Sequence, residues 1–310
     1  MILGETGAGK TALSELLGER LPIEVINCDV GQFYEPLTIG TAKPAWRQSP
    51  TTHHLFDVLN SPVDYSVADY RAAVATLIRE IGERGHIPVL VGGSLFYAQS
   101  LFFPPGAGPT EDKLPENLEP LDAPALWQAL RAIDPIRAAA ISPFDIYRIR
   151  RALALWYTHG VLPSKHKPIY SSVVPDGQAL VFFVTRERPE LYAQIDQRTI
   201  QMMQAGWIEE VAGLHGSWHE FLMRKKLIGY PEIVQFLQSG HSDARELTRV
   251  IQQKTRNYAK RQGTFWRGLS RTLLSTRDNG VHIQEYNLTL SSVTLYIDHM
   301  VSLVNEQLNG

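Results

Sequence analysis

The chain has 310 residues, 44% of them hydrophobic, and a formal net charge of −2. That suffices for one large domain or a core with an appended piece, and the near-neutral balance gives no global sign of nucleic-acid binding. The single cysteine, Cys28, excludes an internal disulfide and a cysteine-rich metal site. No run reaches transmembrane length and no charged-then-apolar leader opens the chain, so a cytoplasmic protein with no membrane partner is expected.

Met1-Ile2-Leu3 reads as a first strand, although only three residues precede the loop that follows, against about five or six in an ordinary strand. A late start of the reading frame and a clipped strand explain this equally well. Residues 4 to 11, Gly4-Glu5-Thr6-Gly7-Ala8-Gly9-Lys10-Thr11, fit G-x-x-x-x-G-K-[ST] in full. In that pattern Gly4, Gly7 and Gly9 are expected to adopt positive φ and turn backbone N–H groups onto phosphate oxygens. Lys10 supplies a cation and the Thr11 hydroxyl is placed for Mg²⁺. Leu13, Leu16, Leu17 and Leu21 follow at helical spacing, which sets the anion on a helix N-terminus.

Ile23 to Asn27 reads as a second buried strand that delivers Asp29 at its carboxyl end, where an open α/β sheet binds ligands. Asp29 either faces the phosphate loop or caps a turn. His53 and His54 are expected to form a polar wall of the site, since no third ligand stands at metal-binding spacing. A helix is expected over 67–84, then a buried strand from Ile87 ending in Gly92-Gly93. A hydrolytic P-loop ATPase would normally place a Mg²⁺-binding acid there, which leaves Asp29 as the carboxylate near the phosphates.

The stretch from Pro104 to Leu121 reads as an irregular crossover, followed by helices over 125–133, 136–141 and 145–158, a loop from Pro163 to Gly177, and a strand over 180–184. Arg148 and Arg151 share a helix face, as either an anion clamp or a solvated surface. Helical periodicity returns from Arg188, and a long helix over 246–266 carries Arg249, Lys254, Arg256, Lys260 and Arg261 among Tyr258, Phe265 and Trp266. From Arg224 to Arg271 there are eleven Lys or Arg against three acids, net +8, which fits RNA phosphates and stacking faces or a solvated basic surface. A last strand near 280–286 and a helix over 291–308 close the chain.

Taken together, the loop at 4–11, Cys28-Asp29-Val30-Gly31-Gln32-Phe33-Tyr34, Ile39-Gly40-Thr41-Ala42-Lys43-Pro44, His53-His54-Leu55-Phe56-Asp57, Leu90-Val91-Gly92-Gly93, residues 145–153, Ile228-Gly229-Tyr230 and Tyr258-Ala259-Lys260-Arg261-Gln262 resemble, in order, the bacterial tRNA dimethylallyltransferases, over roughly residues 1–270. The resemblance implies transfer of the dimethylallyl group from dimethylallyl diphosphate to the exocyclic amine of the adenosine 3′ of the anticodon, with Mg²⁺ as cofactor and the tRNA anticodon stem-loop as partner. It implies Asp29 as general base, Thr6, Lys10 and Arg148 as further catalytic residues, and diphosphate binding by Gly4, Thr6, Gly7, Ala8, Gly9, Lys10 and Thr11. tRNA contacts are implied at Asp29, Val30, Gly31, Gln32, Ser94, Tyr147, Arg148, Ile149, Arg150, Arg151, Lys226, Gly229 and Tyr230, with Arg256 and Lys260 added from the basic helix. This chain departs from the usual family pattern at Glu5, Gly7, Ala8, Val30, Phe144 and Ala154. Rival readings are a P-loop small-molecule kinase and a weakened tRNA-binding member of the fold.

The expected fold is α/β, a P-loop parallel sheet with helices on both faces and an inserted helical subdomain. The core is expected over 1–114 and 179–290, the insertion closing over tRNA over 115–178, and a C-terminal helix over 291–310, in a monomer.

Overall fold

The computed structural model describes residues 1–103, 114–166, 172–174, 179–240, 243–275 and 280–309. The expected crossover from Pro104 lies outside them as far as residue 113, and the loop from Pro163 to Gly177 does so at 167–171 and 175–177. The chain divides into two compact units, Met1–Phe102 with Ser172–Gly310, and Phe103–Ser171.

In chain order the elements are β1 (Ile2–Gly4), α1 (Lys10–Gly18), β2 (Ile23–Asn27), β3 (His53–His54), α2 (Val67–Glu83), β4 (Ile87–Gly92) and α3 (Leu95–Phe102). Then come α4 (Ala123–Ile133), α5 (Pro135–Ala139), α6 (Ile146–His159), β5 (Ala179–Thr185), α7 (Arg188–Gln204) and α8 (Trp207–Ala212). The last are α9 (Gly216–Lys225), α10 (Tyr230–Ser239), α11 (Ala244–Ser275), β6 (Val281–Asn287) and α12 (Val293–Asn309).

The first unit is built on a six-stranded sheet of order β3-β2-β4-β1-β5-β6, every pair parallel. The connection β1-α1-β2 crosses the sheet in one direction and β2-α2-β4 returns in the other. Right-handed crossovers therefore put α1 and α2 on opposite faces. Strands covered on both faces are mostly apolar, so Ile2, Val25, Val89, Phe182 and Val184 share one core with Leu13 and Leu17 of α1, while β2, buried along its length, also carries Glu24 and Asn27. β1 is short, pairing Ile2 and Leu3 with Val91 and Gly92 on one side and Ile2 to Gly4 with Phe182 to Val184 on the other. The ring of Trp266 from α11 stacks on Phe183 at 4.4 Å, seating the long helix against the sheet.

The second unit packs α4 and α6 around Leu126, Leu130, Ile149 and Leu153. Asp122, Asp134 and Asp145 cap the starts of its helices by accepting from backbone amides of the first turn.

Among the described residues no helix is long and apolar enough to cross a membrane.

One of the paired histidines bears out the polar wall expected of them, His53 lining a cavity with Thr6, Lys10 and Thr11, while His54 has a different role. They form the edge strand β3, and His54 donates from Nε2 to Glu24, a carboxylate buried in β2, at 2.6 Å. Arg84 grips the same carboxylate with two bonds, at 2.9 and 2.7 Å, and His86 donates from Nδ1 at 2.8 Å. The arginine, more than the histidines, holds the Glu24 carboxyl at about 2 against the opposing effect of burial, its ordinary value being 4.5. A carboxylate whose pKa is depressed by folding stabilises the fold above its unfolded pKa and loses that contribution as pH falls toward its folded value. The shift corresponds to about 3 kcal/mol. Thermal melts should therefore show stability falling as pH drops from about 5 toward about 2, and Glu24→Gln should be less stable at pH 7 by about 2 to 4 kcal/mol with a flatter profile in that window. A Glu24→Gln profile as steep as wild type would exclude Glu24 as the titrating group.

Candidate active site

The phosphate loop leaves the carboxyl end of β1, the central strand, and its tip lies beside the ends of β2 and β4. Two of its glycines behave as expected, with φ of +81° at Gly7 and +108° at Gly9, the residue before α1. Gly4 does not. It is the last residue of β1, extended, and it is glycine because a Cβ would stand 2.2 Å from the Val184 carbonyl oxygen of β5. Gly9 offers no side-chain cap to α1, so the first-turn amides of that helix have no partner within it. Ala8 is fully buried, and Arg186 donates to its carbonyl at 3.1 Å.

Lys10 turns back along the loop and donates from Nζ to the carbonyls of Glu5 at 2.9 Å and Gly4 at 3.2 Å. Burial lowers its pKa to about 8, while the nearby Asp29 acts to raise it. The Glu5 carboxylate faces away from the cavities lined by Thr6, accepting from the Thr185 hydroxyl at 2.7 Å on β5 and lying against Gly263 of α11. The acid of the loop therefore points out of these cavities.

Asp29 is both things the sequence left open. Its Oδ1 accepts from the Gly31 amide at 3.3 Å and caps the short 3-10 turn Val30–Phe33, and the same carboxyl lies in the field of Lys10 and Arg198. Burial raises its pKa, opposed first by Lys10 and then by the Gly31 N–H. Its backbone is held by the fully buried Asn27, whose Oδ1 accepts from the Asp29 amide at 2.9 Å and whose Nδ2 donates to the Asp29 carbonyl at 3.2 Å. Ser94, after β4, accepts from the Val30 amide at 3.1 Å, and Gln32 donates to the Thr41 carbonyl at 3.0 Å.

These groups border a cavity of about 470 Å³ lined by Thr6, Gly7, Asp29, Val30, Gly31 and Ser94 on one side, and by Arg198, Trp207, Lys226, Tyr230, Tyr258 and Arg261 on the other. Lys226 is there because it ends α9 in the left-handed conformation, with φ of +57°, and the turn through Gly229 then opens α10. A smaller adjoining cavity of about 60 Å³ is lined by Thr6, Lys10, Thr11, Asp29, Gln32, His53 and Arg198. A hydroxyl and one carboxylate there suit Mg²⁺, a hard cation that takes few protein oxygens and keeps most of its waters. Among the described residues no three His, Cys, Asp or Glu side chains cluster as a metal site of their own.

One residue of the cavity, and two beside it, have roles that sequence reading did not assign. Arg198 lies on α7 beside Asp29, with no hydrogen-bond partner among the described residues, and burial lowers its pKa. Its signal was present: it continues the apolar stripe Leu191, Ile195, Met202, a position where an arginine needs a reason to be. Gln262 of α11 is buried, accepts from the Thr6 amide at 2.9 Å and donates to the Gly93 carbonyl at 2.8 Å. Directly behind Asp29, Cys28 is fully buried, and burial pushes its thiol up to about 12.

Tyr147, Arg148, Ile149, Arg150 and Arg151 belong to α6 of the second unit, where Ile149 is fully buried in that unit's own core. Tyr147 and Arg148 are exposed there, Arg148 pairing with Asp145 at 3.4 Å, and Arg150 pairs with Glu119 at 2.5 Å. On α11, Arg256 is engaged by Asp196 and Gln253, whereas Lys260 and Arg261 are exposed and have no carboxylate partner among the described residues.

A glycine-rich loop on a helix N-terminus at the centre of a parallel sheet, with a lysine behind it and a carboxylate opposite, has the form of a phosphate-binding loop. The IPP transferase family model matches residues 32–269, and the chain belongs to that family. It is 35% identical over 272 residues to the tRNA dimethylallyltransferase of Anoxybacillus flavithermus, covering 86% of each chain, and 36% identical over 286 residues to that of Heliobacterium modesticaldum, covering 90% of this chain and 89% of the relative. Among solved structures, the full-length tRNA isopentenylpyrophosphate transferase of Bacillus halodurans matches with a TM-score of 0.62 at 27% identity, over 99% of this chain and 97% of that one. A eukaryotic dimethylallyltransferase acting on tRNA shares the fold with a TM-score of 0.76 at 23% identity, over 98% of this chain and 79% of that one.

The loop's affinity for a diphosphate can be tested directly. Lys10→Ala should weaken binding of inorganic pyrophosphate by about 2 to 3 kcal/mol, or roughly 30- to 150-fold, in calorimetric titrations. Unchanged affinity in a folded variant would remove Lys10 from the anion site.

Proposed function

We propose that this chain transfers the dimethylallyl group from dimethylallyl diphosphate to the exocyclic amine of the adenosine 3′ of the anticodon in tRNA, forming N6-isopentenyladenosine. The observation that carries this reading is a carboxyl group and a phosphate loop facing one cavity, in a member of a family whose curated relatives are tRNA dimethylallyltransferases. Those relatives favour prenyl transfer over the small-molecule kinase.

In the proposed reaction the N6 lone pair forms a bond to C1 of the dimethylallyl group as the bond from C1 to the diphosphate oxygen breaks, and the surplus N6 proton passes to Asp29. A buried carboxyl with a raised pKa is a better proton acceptor than an exposed one, and Asn27 and Gly31 hold its direction. Charge growing on the departing diphosphate is met by Lys10, Arg198 and the amides of the loop and first turn of α1, groups in place before the reaction begins. Thr6 lines both cavities, and in this reading it meets the leaving oxygen. Thr11 would hold Mg²⁺, which would supply further neutralisation of the leaving group. The adenosine must leave its stack to reach the cavity, where Val30, Ser94, Tyr230 and Tyr258 provide apolar and aromatic walls. Arg198 extends the residue set implied by the family pattern.

Incubation with undermodified tRNA, labelled dimethylallyl diphosphate and Mg²⁺, followed by nucleoside analysis, tests the reaction. In that assay Asp29→Asn should lower kcat by about 10² to 10⁴ while tRNA and prenyl diphosphate affinities stay nearly intact. Recovery of the rate with added Mg²⁺ would instead make Asp29 a metal ligand, and a wild-type kcat would end its assignment as base.

The tRNA surface of α11 is proposed to centre on Lys260 and Arg261, with Arg256 a weaker contributor because Asp196 already engages it. Neutralising Lys260 and Arg261 together should flatten the slope of log affinity against log salt by about 1.5. The same slope in the double variant would mark them as a solvated surface.

A further inference from the structure

The wall of the main cavity away from the phosphate loop is made by three stretches of chain that meet on α8. Glu210 of that helix accepts with Oε2 from the Thr38 amide at 2.9 Å and the Ile39 amide at 2.6 Å. With Oε1 it accepts from the Gly40 amide at 3.3 Å and the Tyr230 hydroxyl at 2.9 Å. Three consecutive backbone N–H groups and one phenol thus converge on one carboxylate. One turn earlier, the buried Trp207 lies between two glycines. A Cβ on Gly40 would stand 2.0 Å from its Nε1, and one on Gly229 would stand 1.9 Å from its Cη2. No side chain fits between the loop, α8 and the turn before α10.

The loop continues from this anchor to the proposed base. The Thr41 and Ala42 carbonyls accept from Gln32 Nε2 at 3.0 and 3.4 Å. The Thr41 methyl packs so closely on Gly31 that a Cβ there would stand 2.7 Å from it. The Gly31 amide in turn donates to Asp29 Oδ1 at 3.3 Å. A continuous path of contacts therefore runs from Glu210 through residues 38–42 to Gly31, Gln32 and the Asp29 carboxyl. α8 and α10 have their own buried anchors in Val211, Ile233 and Val234, so Glu210 is not needed to seat either helix. It is the side chain that ties the backbone of 38–40 to them.

We propose that Glu210 is a positioning residue for this reaction: by binding the 38–40 amides it sets the 41–42 segment against the Gly31-Gln32 turn, and so aims the Asp29 carboxyl at the incoming amine. The inference rests on the reading of Asp29 as base. Glu210→Gln is the informative change, because it keeps the shape while an NH₂ group must then face donors that the carboxylate accepted.

Three measurements read the outcome: steady-state transfer, hydrogen exchange of the Thr38 to Gly40 amides, and thermal melting. The proposal expects kcat lower by about 10- to 100-fold, little change in either KM, faster exchange at the three amides, and a melting temperature near wild type. In an Asp29→Asn background the same change should cost less than about twofold, since the residue it aims no longer works as a base. An unchanged kcat overturns the proposal, and so does the full loss repeated in the Asp29→Asn background, which a merely structural role would give. If Glu210→Gln does not fold, Tyr230→Phe removes one donor from Oε1 and should give a smaller kcat loss with the same dependence on Asp29; a loss independent of Asp29 overturns the idea. A wild-type protein without transfer activity would instead refute the proposed function. In that case unchanged exchange at Thr38 to Gly40 in Glu210→Gln would overturn the anchor as well.

Discussion

The geometry of the phosphate loop depends on one buried amide side chain. Gln262 accepts from the Thr6 N–H and donates to the Gly93 carbonyl, so α11, the loop after β1 and the turn after β4 are joined at a single point. Two backbone groups at a sheet edge would otherwise need water, and a side chain that can both accept and donate satisfies them together. The loop is therefore held from outside its own sequence, while Lys10 holds it from within through the Gly4 and Glu5 carbonyls. A site meant to stabilise developing charge gains from such prior ordering, because its dipoles need not reorganise during the reaction.

Several residues that make the chain recognisable are scaffolding. Lys43 of the Ile39–Pro44 stretch is buried against the Asp57 carboxylate and donates to the Tyr34 carbonyl at 2.8 Å, while Trp46 and Arg47 reach the same aspartate. His54 serves Glu24 in the same manner. The two motifs thus stabilise the segments that carry Asp29 and β3, and their side chains contribute charge inside the protein, where each has a partner. Family motifs here record how the wall of the cavity is held as much as what touches a ligand.

The parts of the fold legible in the sequence were those specified locally. Apolar runs gave β2, β4 and β5, helical spacing gave α2 and α7, and the glycine pattern gave the phosphate loop, each within a few residues of its observed place, while α11 was found but runs to Ser275, nine residues past its expected end at 266. Asp29 was legible because a strand end at this sheet edge faces the loop. What could not be read was set by partners distant in sequence. Glu24 is an acid in the middle of an apolar strand, made acceptable only by Arg84, His54 and His86. Arg198 and Glu210 lie on helices whose periodicity says nothing about which loop will arrive against them. Gly4 was misread for a related reason, since closeness of β5, and not a turn, requires it.

Cys28 stands one residue before Asp29 and faces the sheet interior, its thiol proton held firmly by burial. A protein proposed to work with an allylic electrophile carries its own best nucleophile within a residue of the reacting centre. The thiolate, not the thiol, is the species that attacks carbon, and here it is scarcely populated at neutral pH. The core that seats Asp29 thus also shields Cys28 from electrophiles, oxidants and heavy-metal ions to which an exposed thiol would be vulnerable.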